Sequence, residues 1–264
     1  MDVVVRQLGV CDYTPVWEAM REFTATRTPS TPDEIWLLEH APVYTLGLNA
    51  RVAPGVLPPV PYRDVPMSRV AGRRERPTLA RPCASREQVP APRDIPVIHT
   101  DRGGQVTYHG PGQVVAYVLL DLRRRALGVR QLVSALEQSV IEVLADYAIG
   151  AHARRDAPGV YVDGAKIAAL GLRVRQGRCY HGLSLNVAMD VEPYSRIHPC
   201  GYPDLQVTDM RALGVAAETL QVADRLIAQL AQHLGYTVHP AANETSFTPS
   251  ALPVTYNVLS EHGR

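Results

Sequence analysis

Residues 159–174 read GVYVDGAKIAALGLRV, and RCYHGLSLNVAMD follows closely at 178–190. Both runs are rich in β-branched and aromatic residues. Each is bounded by a pair suited to a tight hairpin, Asp163-Gly164 in the first and Gln176-Gly177 between the two. Together with AHARRD at 151–156 they predict an antiparallel meander. The same stretch holds Lys166, the only lysine among 27 basic residues.

Working outward, VVVRQLG near the start has the composition of a strand, and TPVWEAMREFTATR spaces Trp17, Met20 and Phe23 as on a helix. EIWLLEHAPVYTLG at 34–47 is apolar and β-prone, broken by Pro42. GQVVAYVLLDL is a long apolar strand. VRQLVSALEQSVIEVLADYAIG at 129–150 repeats apolar residues with helical period and is expected to stop at Gly150. VAAETLQVADRLIAQLAQHLGY at 215–236 is a second amphipathic helix. Helices flanking a mostly antiparallel sheet give an α+β class, and the absence of internal repeats gives one domain over 1–238. From His239 to Arg264 periodicity is lost, and a poorly ordered tail is expected.

Residues 51–93 hold nine prolines and nine arginines against three acids, too little apolar surface to offset the entropy of ordering. A mobile insertion of charge +6 is expected, on a body of charge −5. It is either a docking patch for an acidic partner or a solvated insertion without a role.

The net charge of +1 argues against a dedicated nucleic-acid or membrane-surface binder. No apolar run approaches the length of a membrane helix or forms a signal peptide, which predicts a cytoplasmic protein. Cys11, Cys83, Cys179 and Cys200 are too irregularly spaced for a disulfide framework and are expected as free thiols.

Chemistry concentrates in three places. RGGQVTYHGPGQ at 102–113 sets four glycines beside Arg102, Tyr108 and His109, a loop whose backbone can approach a ligand while Arg102 and His109 donate to a carbonyl or an anion. It matches neither a phosphate loop nor a dinucleotide fingerprint. RIHPCGYPD at 196–204 carries Cys200 in a polar turn, a poor place for core packing and a good one for reactivity. Cys179-x-His181 and His198-x-Cys200 pair potential metal ligands, but their spacing is not that of a zinc site, and no metal is expected.

Where arginine serves nearly every cationic role, a lone lysine is kept for something arginine cannot do. Guanidinium stays protonated, whereas an ammonium can give up and retake a proton. Lysine beside a thiol suggests a dyad for acyl transfer through thioesters.

With these residues in view the chain resembles the lipoyl(octanoyl) transferases. The resemblance rests on EHAPVYTLG at 39–47, DRGGQVTYHGPGQ at 101–113, GVYVDGAKIAALGLRV at 159–174, YHGLSLNV at 180–187 and IHPCGY at 197–202. It implies a single domain like the catalytic domain of biotin and lipoate protein ligases. Lys166 and Cys200 would be catalytic. The acyl site would be lined from three segments: Arg102, Gly103, Gly104, Gln105, Val106, Thr107, Tyr108 and His109; then Ala169, Leu170 and Gly171; then Gly182, Leu183 and Ser184. The family needs no cofactor, ATP or metal. Its donor is octanoyl-acyl carrier protein, and its acceptors are lipoyl domains of 2-oxoacid dehydrogenase complexes and the glycine cleavage H protein. The Pro/Arg-rich 51–93 and the long tail depart from the family pattern. Two alternatives stay open: an ATP-dependent lipoate or biotin ligase on the same fold, and a non-catalytic acyl-protein binding module.

Overall fold

The computed structural model describes residues 1–50, 95–198 and 205–241. The Pro/Arg-rich insertion, the Cys200 turn and the tail beyond 241 therefore lie outside the described residues.

In chain order the elements are β1 (Asp2–Cys11), α1 (Tyr13–Thr26), β2 (Asp33–His40), β3 (Val43–Leu46), β4 (Val97–His99), β5 (Val106–His109), β6 (Gln113–Asp121) and α2 (Val129–Asp146). These are followed by β7 (His152–Ala153), β8 (Gly159–Val162), β9 (Ala165–Arg175), β10 (Arg178–Asn186), a short 3-10 helix (Glu192–Arg196), α3 (Thr219–Leu234) and β11 (Thr237–Pro240). Among the described residues, eight strands form one sheet in the order β11-β1-β2-β6-β10-β9-β8-β7, and three form a second, β4-β3-β5. β1 runs parallel to β2 and β11, and the rest of the large sheet is antiparallel.

The meander predicted from 151–190 is β7 to β10. Its two turns show why those dipeptides were chosen. Asp163 and Gly164 have φ of 47° and 84°, Gln176 and Gly177 51° and 73°, so each two-residue turn has both φ positive. Such turns match the right-handed twist of the strands they join. Pro42 divides its apolar run between two sheets, β2 in the large one and β3 in the small one.

β6 explains its unbroken apolar sequence by being covered on both faces. Val114, Ala116, Val118 and Leu120 pack with Leu132, Leu136 and Val140 of α2 and with Val222 and Leu226 of α3. Val115, Tyr117 and Leu119 pack with Val16, Trp17 and Met20 of α1. The helices thus flank the sheet unequally, two on one side and α1 with the small sheet on the other. Asp33 ties the rim together: its buried carboxylate accepts from Arg27 and Arg124, each at 2.6 Å, and from Tyr236 at 2.5 Å.

Three expectations need correction. α2 ends at Asp146, not Gly150. Ala148 takes the left-handed conformation usually given to glycine, φ 57°, and the Ala148 and Ile149 amides return to the carbonyls of Ala145 and Leu144 at 2.9 and 3.0 Å. This is a Schellman ending, and burial of Ile149 compensates the wrong residue at the turn. β11 carries regular structure through His239 and Pro240, past the expected boundary at 238, because its residues pair in parallel with Asp2 to Val5. Cys11 is disulfide-bonded and not a free thiol. Cys179 is free and buried, and burial pushes its thiol up to about 12.

Candidate active site

Lys166 is the second residue of β9 and is 4% exposed. β8 and β9 slip register by one residue between Val160↔Ala168 and Tyr161↔Lys166. A bulge of this kind re-aims a side chain, and here it sits beside the lysine. Lys166 Nζ donates to the Pro158 carbonyl at 3.1 Å and lies 5.1 Å from the centre of the Tyr161 ring. Glu137 of α2 accepts from the Gly159 amide at 2.9 Å. Burial raises its carboxyl above the usual range, against the opposing pull of that amide and of Lys166.

The backbone of Lys166 also anchors the chain that follows the Cys200 turn. Its amide donates to the Gln206 carbonyl at 2.8 Å, and the Thr208 amide donates to its carbonyl at 3.0 Å, forming a parallel bridge to Val207. Cys200 itself is outside the described residues, six positions before Gln206.

From Lys166 a groove runs along the sheet face that β5 and α1 cover. A small cleft holds Thr107, Lys166, Ala168, Ala169, Asn186, Tyr194 and Val207. It shares Thr107 and Ala169 with a larger cleft lined by Arg102, Gly104, Gln105, Val106, Thr107, His109, Ala169, Leu170, Gly171, Gly182, Leu183 and Ser184. Those are twelve of the fourteen residues expected from sequence to line an acyl site. Gly103 and Tyr108 stand apart. The Gly103 amide is spent on the Leu172 carbonyl at 2.9 Å, joining the loop to β9. Tyr108 alternates out of the cleft along β5 and packs against Tyr44 and Tyr194.

Arg102 organises the loop rather than reaching outward. Its guanidinium donates to the carbonyls of Thr45 and Gln105, both at 2.7 Å, and of Gly103 at 3.0 Å. The larger cleft also contains Tyr13, Val115, Tyr117 and His181, which the sequence reading did not select. Tyr13 opens α1, far from any motif. His181 sits inside the quoted YHGLSLNV, so its adjacency to Gly182 was the available signal.

Cys179 and His181 do not share a face as strand periodicity suggests. Cys179 lies in the core under α2 and α3, whereas His181, with φ 63°, turns to Asp101 on the other side. Among the described residues no group of His, Cys, Asp and Glu is placed to hold a metal.

Three histidines are buried here. Burial lowers His40 to about 4, and it is the largest cause of depressed values at His109 and His181 too. All three are neutral in the folded protein near pH 7, while unfolded histidine protonates around 6.5. Since the folded values lie below the unfolded one, their stabilisation is present above about pH 6.5 and is lost as pH falls below it, for His40 through about 4. Denaturant unfolding measured from pH 7 to 4 is expected to show a midpoint falling more steeply than one proton allows. A flat profile would contradict neutral burial of these rings.

The fold is that of lipoate protein ligase catalytic domains. Lipoate-protein ligase A bound with ATP superposes with TM-score 0.63 at 13% identity, covering 92% of this chain and 90% of that one. A bipartite lipoate protein ligase from Thermoplasma acidophilum gives 0.60 at 13%, covering 92% and 88%. The chain belongs to the lipoyl protein ligase A/B catalytic domain family, whose model matches residues 12–231. It is similar to curated octanoyltransferases: 51% identical to that of Methylococcus capsulatus over 89% of this chain and 97% of the relative, and 50% identical to that of Nitrosococcus oceani over 88% and 89%. The octanoyltransferase of Pseudomonas putida is 49% identical over 92% and 95%.

Proposed function

We propose that this protein is an acyltransferase that moves an octanoyl group from acyl carrier protein to the lipoyl-domain lysine of target proteins, in the cytoplasm. The reading is supported by relatives near half identity over most of both chains. The observation that carries it is Lys166, buried at one end of the groove and bonded through its backbone to the segment that follows the Cys200 turn. Among the described residues, no helix is long and apolar enough to cross a membrane.

In the first step Cys200 thiolate attacks the thioester carbonyl, the new C–S bond forms, and the carrier's thiolate leaves. A lysine amine is ordinarily protonated at neutral pH, so Lys166 can give its proton to that leaving thiolate. The amine left behind then takes a proton from the acceptor lysine as it attacks the acyl-enzyme, and Cys200 departs as thiolate. Protons balance over the cycle. Arg102, by closing the 102–105 loop on itself and Thr45, gives the groove a fixed wall.

Acceptors of this chemistry are lipoyl domains of 2-oxoacid dehydrogenase complexes and the glycine cleavage H protein. Intact-protein mass spectrometry with octanoyl-acyl carrier protein, acceptor withheld, tests the covalent step. An octanoyl adduct labile to hydroxylamine is expected on the native chain and absent from Cys200→Ser. No adduct on the native chain would sink the thioester route.

A further inference from the structure

His181 breaks the pattern of its strand. Successive residues of a strand face opposite sides, yet the rings of Tyr180 and His181 stack, centroids 5.0 Å apart. The cause is the left-handed backbone of His181, φ 63°, which a residue with a side chain adopts only against a free-energy cost. That cost turns the imidazole out of the α2–α3 core and into the groove.

Asp101 receives it there. Its carboxylate accepts from His181 Nε2 at 3.0 Å, from Trp17 Nε1 at 2.8 Å and from Tyr180 Oη. These donors hold the Asp101 carboxyl well below the usual range against the opposing effect of burial, so it is ionised and can only accept. Nε2 therefore carries the imidazole proton, and Nδ1 is an acceptor. Nδ1 is buried with no hydrogen-bond partner among the described residues, and so is Tyr13 Oη, on the same cleft. Thr100 and Tyr117 lie close enough to the Tyr13 hydroxyl to act on its proton, yet outside hydrogen-bond geometry. Two buried polar atoms left open on one groove call for a small polar partner.

Their position gives that partner a role. His181 pairs with Leu172, six residues along β9 from Lys166, or about 20 Å at 3.3 Å per residue. Between them the groove face carries Ala169, Gly171, Gly182 and Ser184, which leave room. An eight-carbon chain in zigzag, with bonds of about 1.5 Å that each advance about 1.25 Å, is about 9 Å long. With its carbonyl at the end of the lysine side chain, its methyl end approaches this polar floor.

We propose that Tyr13 Oη and His181 Nδ1 hold a water molecule at the distal end of the groove, and that this floor sets the length of straight acyl chain the protein accepts. The inference rests on the acyl-transfer reading above. A longer chain displaces the water and leaves both atoms facing methylenes, whereas a shorter one leaves the groove unfilled. Asp101 is a positioning residue that fixes the tautomer.

Calorimetric titration of the full chain with hexanoate, octanoate, decanoate and dodecanoate tests it without needing turnover. For the native protein affinity is expected to rise to octanoate and fall by dodecanoate. In Tyr13→Phe the ratio of dodecanoate to octanoate affinity is expected to rise about tenfold, since one polar atom no longer loses its partner. His181→Asn, whose side chain tolerates positive φ and is too short to reach the floor, should move the ratio the same way and serves if the first variant fails to fold. An unchanged ratio in a variant with native circular dichroism, or native affinity that keeps rising through dodecanoate, overturns the proposal. Octanoyl transfer by the native chain, assayed in parallel, decides the transfer reading separately.

Discussion

Replacing Lys166 by arginine is expected to lower octanoyl transfer by about 10²–10⁴-fold, the range a positioned general acid–base group contributes. The substitution keeps the positive charge. What it removes is the exchangeable proton, because guanidinium does not deprotonate at any working pH. The two half-reactions should therefore separate. Arginine can still attract a thiolate at Cys200, so some acyl-enzyme should form. It cannot accept the proton of an incoming amine, so discharge to a lipoyl domain should fail. Single-turnover mass spectrometry, with acceptor added after the adduct has formed, reads both steps. If arginine supported discharge within about tenfold of the native rate, general-base catalysis would not be the role of position 166.

The lysine was legible because composition isolated it: one ammonium in a chain that otherwise uses arginine. Its surroundings were less so. The glycine-dense loop announced a binding wall, and most of its residues do line the groove, yet the sequence does not say that Arg102 spends its donors on Thr45, Gln105 and Gly103. That assignment depends on β3 and β5 meeting in a second sheet, a pairing with no local signal. Tyr13 and His181 were missed for related reasons. Tyr13 reaches the groove only because α1 packs across β6, and His181 escapes strand periodicity through one backbone dihedral. The meander, by contrast, was readable because both its turns are local, with conformations imposed by Asp163-Gly164 and Gln176-Gly177. The end of α2 was misread because tertiary burial of Ile149 let alanine stand where local chemistry prefers glycine.

Gly159→Ala carries the second large effect. Gly159 has φ of 142°, which residues with a side chain rarely adopt, and that strain alone costs on the order of 1–3 kcal/mol. The added Cβ would also stand 2.8 Å from the Ala168 carbonyl oxygen, 3.0 Å from Lys166 Cε and 3.1 Å from Nζ. The carbonyl belongs to a residue in the β8–β9 ladder and cannot easily give way. The lysine side chain is what must move. Nor can the strand back off freely, since the Gly159 amide holds Glu137, the carboxylate whose charge acts on Lys166. A displacement of about 1 Å at a reacting group commonly costs about 10²-fold. The variant is thus expected to lose about 100-fold in kcat/KM and roughly 1–3 kcal/mol in denaturant unfolding. Circular dichroism tells whether the fold survived; octanoate binding does not, because Gly159 pairs across the ladder with Ala169, which lines that cleft. Native turnover in a folded Gly159→Ala protein would mean that Nζ need not occupy its place beside Pro158 and Tyr161, and the assignment of position 166 to proton transfer would fall with it.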